Sequence, residues 1–455
     1  MMDVQEDTIV ALSTPWGESG IGVVRLSGSD CLHLTKSIFG RSVIVPRHNY
    51  VGSYQTLEGL LLDDVTFVYF APHASFTGEA TLEISCHGNP LILRQVIRDC
   101  TQRGCRQANP GEFTRRAFTN GVLDLCQAEA VADLIHAKSQ QALAMARNQL
   151  LGVLSQKIDR WVIILMEQIA WIEAYLDFPE EDLPEANRRA YFNELRALSE
   201  EVEKLVHTHA HYQSLQNGIT TVIVGAPNVG KSTLLNTLLG HDRAIVSPMP
   251  GTTRDFITEY VQLESYGLRL VDTAGIHISC DALEHEGIQR SLEQLEKADL
   301  ILWVLDQSQP MPHSEQRFIQ LLDPSKTLAL INKADLPCAD VDFSSYLKRY
   351  PYCSLSLKED VEAFNKVQTF IKSFLDQRYR DFSQTAFMVN ERHAESLMEA
   401  QIAIKKAIHL FQTQGFEDCL AAELKAALHA MEQVVGRVDY EQILDRIFSR
   451  FCIGK

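Results

Sequence analysis

The segment Gly225–Ser232 reads GAPNVGKS and fits the pattern G-x-x-x-x-G-K-[ST]. In this pattern a glycine-rich turn presents backbone N–H groups to phosphates, and the lysine reaches the β- and γ-phosphates. A β-branched run, TTVIV, precedes the segment, and a helix-forming run, STLLNTLL, follows it. The order predicts a phosphate at a helix N-terminus, where free N–H groups and the helix dipole favour an anion.

Three further segments complete a set of guanine-nucleotide signatures in the expected order. They are GTTRD (251–255), DTAG (272–275) and NKAD (332–335). A single glycine-rich loop also occurs in unrelated α/β domains, whereas four signatures in order indicate a GTP-binding α/β domain. We therefore expect GTP and Mg²⁺ to bind this part of the chain.

The predicted phosphate and Mg²⁺ contacts come from the first three segments. Lys231 is expected to contact the phosphates during catalysis, while Ser232 and Thr253 ligate Mg²⁺. Asp272 is expected to hold the ion through water, and Gly275 lets its N–H approach the γ-phosphate. The other predicted nucleotide contacts flank these positions: Asn228, Val229, Gly230, Thr233, Ser247, Thr252, Thr273 and Ala274.

The fourth segment is predicted to select the base. Asp335 can accept two hydrogen bonds from the guanine N1–H and 2-amino groups, a donor pair that adenine lacks. Asn332 and Lys333 are expected to buttress the base. Ser356 ends the strand-like PYCSLS and begins the run SLK, which we predict is the final base-contact loop.

The chain lacks the glutamine that orients the attacking water in Ras-type GTPases. Ile276 occupies that position, and an aliphatic side chain cannot position water. Hydrolysis therefore needs another base and another source of positive charge. Asn228 offers an oxygen ligand beside the phosphates, where a monovalent cation could supply that charge. Alternatively, Asn228 only braces the loop, and the residues alone leave both interpretations open.

The composition is that of a globular protein: the 455 residues are 45% apolar and 22% charged. The ten cysteines include no C-x-x-C pair, which argues against a zinc ribbon or a disulfide scaffold. We therefore expect the protein in the reducing environment of the cytoplasm. The N-terminal sequence does not resemble a secretory signal. The most apolar helical stretch starts at Trp161 and is interrupted by Glu167, Gln168 and Glu173, so we expect no membrane association.

The formal net charge of −17 disfavours non-specific binding to nucleic acid, since such affinity comes mostly from phosphate neutralisation. An RNA-related role would need a local basic patch or a partner that supplies one. Six arginines concentrate in residues 94–116 and form either such a patch or solvated side chains in a domain of balanced charge. They are Arg94, Arg98, Arg103, Arg106, Arg115 and Arg116.

The hydrophobic periodicity divides the chain into segments of different class. Residues 1–120 alternate β-rich runs with turns and one helical stretch, which is typical of an α+β domain. Residues 121–217 and 381–455 have helical spacing, and residues 218–380 alternate strands and helices. The predicted fold class is therefore multidomain: an N-terminal α+β domain, a discontinuous helical domain and an inserted P-loop α/β domain.

Several segments resemble one bacterial family, the tRNA modification GTPases known as MnmE or TrmE. The similarity runs nearly from end to end and is most specific in NPGEFTRRAFTNGVLDL and in the terminal FCIGK. It implies an N-terminal domain that binds folate and forms a homodimer. It also implies a potassium-activated GTPase, in which Asn228, Thr252 and the carbonyls of Ser247 and Met249 coordinate K⁺. Glu284 would then orient or activate the attacking water. The alternative is that Glu284 is an ordinary exposed glutamate on a helix.

For the folate site, the resemblance implies contacts from Arg25, Glu83 and the C-terminal Lys455. A cationic side chain can pair with the glutamate carboxylates of a folate, and a carboxylate can hydrogen-bond to the pterin. A lysine of the family pattern is here Val122, which removes one cationic contact. Asn89 and His277 also depart from the pattern. Cys452 is interpreted as a small buried residue and not as a catalytic thiol.

The function that the resemblance implies is GTP-driven addition of a carboxymethylaminomethyl or aminomethyl group to C5 of the wobble uridine (U34) in certain tRNAs. The implied donor is methylene-tetrahydrofolate, and the implied partner is a flavoprotein, MnmG, which contributes FAD and most of the tRNA contacts. The alternative is a GTP-dependent factor for ribosome or RNA assembly without modification chemistry. Such a factor would be expected to carry a basic RNA-binding module.

Overall fold

A computed structural model describes most of the chain. The described residues are 7–177, 185–241, 259–271, 293–312, 319–338, 344–360, 362–379, 389–413, 417–437, 441–448, 451 and 454. They form two compact units. The first comprises Met1–Ala132, Gln149–Leu198 and Glu399–Lys455, and the second comprises Asp133–Asn148 and Ser199–Met398.

The first unit contains a six-stranded sheet near the N-terminus, in the order β3-β4-β5-β2-β1-β6. Neighbouring strands are antiparallel except for β1 and β6. Four strands coincide with the β-rich runs that the sequence shows, TIVALST, GIGVVRLSG, VTFVYFAP and ATLEISCHG, whereas the polar β3 and the two-residue β6 were not predicted. The strands are β1 (Ile9–Leu12), β2 (Ser19–Ser27), β3 (Asn49–Gln55), β4 (Leu61–Phe70), β5 (Thr81–Gly88) and β6 (Arg106–Gln107).

Helices α1 (Cys31–Phe39) and α2 (Pro90–Gln102) contribute to the core on one face of this sheet. Helix α2 begins sharply because Pro90 is its first residue and the Asn89 side chain accepts a hydrogen bond from the Leu91 amide. Helix α3 (Glu112–Thr119) supplies Phe113 to a smaller apolar cluster with Ile9, Ala11 and Ala108.

The remainder of the first unit is helical. The long helix α6 and the C-terminal helix α13 pack against each other, although they are far apart in sequence. The helical layer is therefore built from two chain segments, as predicted. The helices that follow α3 and lie wholly or partly in this unit are α4 (Leu125–His136), α5 (Gln140–Leu150), α6 (Val153–Asp177), α7 (Glu185–His207), α12 (Glu391–Gln412), α13 (Glu417–Val435) and α14 (Glu441–Phe448).

The second unit contains a six-stranded sheet in the order β12-β11-β10-β7-β9-β8. Only β8 runs antiparallel to its neighbour. Alternate residues of the central strands enter two apolar clusters, as expected for a sheet buried on both faces. The strands are β7 (Ile219–Val224), β8 (Glu259–Leu263), β9 (Tyr266–Leu270), β10 (Leu300–Asp306), β11 (Thr327–Asn332) and β12 (Tyr352–Ser354).

Several helices accompany this sheet, along with a 3₁₀ turn at Ile319–Leu321. They include α8 (His209–Asn217), α9 (Lys231–His241), α10 (Ser344–Leu347) and α11 (Ala363–Arg378). The predicted fold class is confirmed, while the predicted domain boundaries stay predictions. Among the described residues, no helix combines the length and apolarity that crossing a membrane requires.

Candidate functional site

The phosphate loop, residues 225–232, joins β7 to α9 in a conformation that only some residues can adopt. Gly225 and Gly230 have φ angles of 145° and 111°, and Asn228 has a φ of 64°. A Cβ on Gly225 would lie 2.2 Å from the carbonyl oxygen of Val304. The loop is therefore seated tightly against the neighbouring strand β10, and glycine is required for that contact.

Lys231 is the first residue of α9, and its ammonium reaches back over the loop. The Nζ atom donates hydrogen bonds to the carbonyl oxygens of Gly225 and Ala226, each at 2.7 Å. Phosphate oxygens are stronger acceptors than these carbonyls because they are charged. The next residues, Ser232 and Thr233, are exposed at the start of the helix, so the Ser232 hydroxyl is accessible to a cation. This donor set fits a nucleotide phosphate with Mg²⁺.

Asn332 connects the phosphate loop to the loop that follows β12. Its Nδ2 donates to the carbonyl of Val229 at 2.8 Å, and its Oδ1 accepts from the amide of Leu357 at 3.0 Å. The residue is only 4% exposed. A Cβ on Gly230 would lie 2.2 Å from the Asn332 Nδ2 atom. The side chain thus fixes two loops relative to each other, a contact that the sequence did not specify.

Lys333 has a φ of 63° and forms an ion pair with Asp306, the last residue of β10. Burial raises the pKa of Asp306, but hydrogen bonds from Lys333 and Ser308 outweigh it and hold that pKa below its usual value. Sequence reasoning missed Asp306. The sequence feature that could have identified it is a lone carboxylate at the end of the apolar run LILWVLD.

Asp335 and Ser356 lie beyond the carboxyl ends of β11 and β12, on the same edge of the sheet as the phosphate loop. Asp335 is exposed, which leaves its carboxylate available to a base. Ser356 is 7% exposed, and its hydroxyl accepts from the amide of Glu359 at 3.2 Å. Parallel α/β sheets bind ligands at this edge. The arrangement brings together the predicted loop, base-contact and phosphate-contact residues that the structure describes.

Ten predicted site residues lie outside the described residues, and their roles stay predictions. They are Ser247, Met249, Thr252, Thr253, Asp272, Thr273, Ala274, Gly275, Glu284 and Lys455. In the part of the chain that is described, no group of three or more His, Cys, Asp or Glu residues is arranged to hold a metal ion.

A second candidate site lies on the N-terminal sheet, where Arg25 of β2 is the register partner of Glu83 of β5. Their side chains form an ion pair at 2.8 Å, with exposed fractions of 20% and 30%. The guanidinium also lies 5.9 Å from the ring centroid of Phe76 and 5.8 Å from that of Phe113. Val122, which follows α3, is 44% exposed. Its side chain lies close to Gly78, where an added Cβ would be 2.9 Å from the Val122 Cγ2 atom. An accessible cation, a carboxylate and two aromatic rings therefore converge at this site.

Most of the arginine cluster is neutralised by carboxylates. Arg103 pairs with Asp99, Arg115 pairs with Asp445, and both Arg106 and Arg116 pair with Asp7 and Glu112. Only Arg94 and Arg98, one turn apart on α2, make no ion pair among the described residues. This pattern does not support an extended basic patch in residues 94–116.

Comparisons with known proteins agree with this architecture. The family model described as "MnmE helical domain" matches residues 125–452, and the one described as "GTP-binding protein TrmE N-terminus" matches residues 8–122. The chain is 44% identical over 453 residues to a tRNA modification GTPase MnmE from Opitutus terrae, with 99% of each chain covered. It is 38% identical over 455 residues to one from Geobacter sulfurreducens, again with 99% of each covered.

A search of solved structures matched the G domain of the T. maritima FeoB iron transporter. That match has 21% identity and a TM-score of 0.26, and it covers 34% of this chain and 98% of the other. The full-length relatives confirm the resemblance inferred from the sequence.

Proposed function

The chain belongs to the MnmE family of tRNA modification GTPases and is a GTP hydrolase, and on that premise we propose the reaction that its hydrolysis serves. GTP hydrolysis drives the addition of a carboxymethylaminomethyl or aminomethyl group to C5 of the wobble uridine (U34) in certain tRNAs. The carbon comes from methylene-tetrahydrofolate. The observation that supports this proposal is the accessible Arg25–Glu83 pair in a chain that also carries the phosphate loop.

For hydrolysis, the residues of the phosphate loop hold and neutralise the triphosphate. The Lys231 ammonium exchanges its two carbonyl acceptors for β- and γ-phosphate oxygens and counters the charge that develops there. Ser232, with Thr253, holds Mg²⁺, which supplies further positive charge when it is bound. Asp335 selects guanine, and Asn332 keeps the loops in register. Glu284 orients the water that attacks the γ-phosphate.

Asn228 is proposed to ligate K⁺ together with Ser247, Met249 and Thr252. Asn228 is exposed on the phosphate loop. Its side chain makes no hydrogen bond in the part of the chain that the structure describes, so its oxygen is accessible to a cation. The bracing contact in this region comes instead from Asn332. A cation at Asn228 would supply the charge that an arginine finger supplies elsewhere.

The potassium proposal is tested by GTP turnover in K⁺ and in Na⁺. We expect wild-type turnover to be about tenfold or more higher in K⁺, since one lost charge-stabilising contact typically costs that much. Asn228→Ala should remove the difference. Asn236→Ala, an exposed position on α9, is the matched control and should respond to K⁺ like the wild type. Equal wild-type rates in the two salts would contradict the proposal.

For the one-carbon step, Arg25 and Glu83 are proposed to bind a tetrahydrofolate derivative with Lys455. Glu83 hydrogen-bonds to the pterin, and Arg25, its ion-pair partner, orients that carboxylate, while the cationic Lys455 pairs with a glutamate carboxylate of the folate. The Phe76 ring, which borders the guanidinium and is exposed, supplies an apolar wall. Val122 supplies no charge where the family pattern has lysine, so the ligand loses one cationic contact.

Folate binding by the intact chain tests this proposal, with 5-formyltetrahydrofolate as the probe in titration calorimetry. Arg25→Ala should weaken binding by about 10- to 100-fold, the effect of losing one charged hydrogen-bonding partner. Arg94→Ala removes an exposed arginine of α2 and should bind like the wild type. Absence of binding by the wild type would instead favour a GTP-dependent assembly factor.

The proposed assembly is a homodimer that acts with the flavoprotein MnmG in the cytoplasm. A net charge of −17, together with arginines that are paired to carboxylates, leaves this chain poorly suited to hold tRNA by itself. The partner therefore supplies FAD and most of the tRNA contacts. On this proposal, removal of the partner should nearly abolish retention of tRNA.

A further inference from the structure

The loop between β4 and β5, residues 71–80, places an aromatic ring beside the Arg25–Glu83 pair. Phe76 is 37% exposed, and its ring centroid lies 5.9 Å from the Arg25 guanidinium. The next residue, Thr77, is completely buried. A partly exposed ring is therefore attached directly to an interior position of the domain.

The Thr77 hydroxyl belongs to a buried chain of hydrogen bonds. Its Oγ1 atom lies 2.7 Å from the Oγ of Ser27, which donates to a carboxylate oxygen of Glu79 at 2.7 Å. Because a serine hydroxyl has one proton and a carboxylate only accepts, Thr77 is the donor to Ser27. The Thr77 hydroxyl also accepts from the Glu79 amide at 3.2 Å. Arg116 closes the chain by donating to the same carboxylate oxygen at 3.1 Å.

The backbone at Thr77 is held from a second side, by the residues that end α3. The Asn120 side chain donates to the Thr77 carbonyl oxygen at 2.8 Å. The following residue, Gly78, has a φ of 79°, and a Cβ there would lie 3.2 Å from the Asn120 Cβ atom. The loop therefore packs closely against the end of α3, and Thr77 is fixed through both its hydroxyl and its carbonyl.

The strand register places this network next to the Arg25–Glu83 pair. Ser27 follows Arg25 by two residues on β2, and its register partner is Thr81 of β5, two residues before Glu83. Alternate residues of a strand share one face, so Ser27 lies on the face of Arg25, about 7 Å further along. The face that carries Arg25 therefore also carries the hydroxyl that holds Thr77.

We propose that Thr77 is a positioning residue of the folate site, which holds the Phe76 ring beside Arg25 so that the ring packs against a planar ring of the bound folate. This inference rests on the proposed folate function. Contact between two rings typically strengthens association about two- to tenfold beyond the effect of the area that it buries. A ring that is already fixed contributes this in full, because little conformational freedom is lost on binding.

The test is a double-mutant cycle of Phe76→Ala and Thr77→Val, which removes the hydroxyl but keeps the shape of the side chain. Titration calorimetry measures binding of 5-formyltetrahydrofolate to the full chain, and the melting temperature shows that each variant is folded. Phe76→Ala should weaken binding about tenfold. Thr77→Val should weaken it about fivefold when the ring is present, but less than about twofold in Phe76→Ala, because the hydroxyl acts through the ring.

Two further variants accompany this cycle. Thr77→Ser keeps the hydroxyl and should retain most of the affinity. Thr101→Val is the matched control, since it removes an exposed threonine hydroxyl that bonds within α2, to the Ile97 carbonyl, and it should bind like the wild type.

Asn120→Ala provides a second route if Thr77→Val does not fold, because it removes the donor to the Thr77 carbonyl from an exposed position. It should weaken binding about threefold, again only while the Phe76 ring is present. Equal losses with and without the ring, or wild-type affinity in Phe76→Ala, would overturn this inference and leave the folate proposal intact. Absence of folate binding by the wild type would overturn the folate proposal itself.

Discussion

In the phosphate loop, Lys231 hydrogen-bonds to carbonyls five and six residues away, whereas Arg25 on the N-terminal sheet finds Glu83 at a separation of 58 residues. The first arrangement is built by a local backbone turn between a strand and a helix. The second is built by the pairing of two strands. Both regions present an accessible cation, but only one has a geometry that neighbouring residues determine.

The difference implies different sensitivities to change. A loop whose glycines contact backbone atoms is sensitive to a single added carbon, because neighbouring main chain cannot move aside cheaply. A sheet face tolerates side-chain changes better, and its function depends on register and on the charges that surround it. Substitutions at matched positions can therefore separate the two kinds of site.

The largest effect is expected for Gly225→Ala. The new Cβ would overlap the Val304 carbonyl oxygen, and the φ of 145° disfavours any L side chain. We expect the free energy of unfolding to fall by about 4 kcal/mol, measured by urea denaturation of the full chain. Gly240→Ala is the control, because its Cβ meets nothing within 4 Å on α9. It should be neutral or stabilising by about 0.5 kcal/mol, and similar losses in both variants would argue against a tight loop.

A smaller effect is expected for Asn332→Ala. The substitution leaves the Val229 carbonyl and the Leu357 amide without their partner in a buried place. We expect a loss of about 3 kcal/mol in unfolding free energy, with GTP affinity reduced at least about tenfold. Asn332→Asp keeps the acceptor for Leu357 but sets a buried carboxylate oxygen against the Val229 carbonyl oxygen, so its effect should be at least as large as that of Asn332→Ala. A fully stable Asn332→Ala protein with wild-type GTP affinity would show that the bridge is dispensable.

The two regions also differ in how far the sequence predicts them. The strand–loop–helix unit at Gly225 and the fold class follow from contiguous motifs and periodicity. The contact of Asn332 with Val229 spans 103 residues, and that of Ser13 with Gly454 spans 441, so no local pattern specifies either. Strand β3 was missed because NYVGSYQ is polar and contains glycine, and its pairing with β4 overrides that weak propensity. Arg25 and Glu83 were identified through family resemblance, not through spacing.

The smallest effect concerns the carboxylates around Arg106 and Arg116 on the N-terminal domain. Burial raises the pKa of Glu112, but hydrogen bonds from Arg106, the Asn109 amide and Arg116 outweigh it and hold that pKa below 4.5. Since the pKa is lower in the folded than in the unfolded state, the stabilisation is present above about pH 4.5 and is lost as pH falls through the folded-state value. At pH 6, Glu112→Gln should lower the unfolding free energy by about 2 kcal/mol, because charged hydrogen bonds are lost.

Denaturation of the wild type and Glu112→Gln between pH 6 and pH 3 measures this contribution. The difference should narrow as pH falls below about 4.5 towards the lower folded-state pKa, where the wild-type carboxylate takes up its proton. Glu58→Gln, in the exposed turn between β3 and β4, is the control and should follow the wild type across the whole range. A difference for Glu112→Gln that stays constant to pH 3 would mean that the side chain acts through packing.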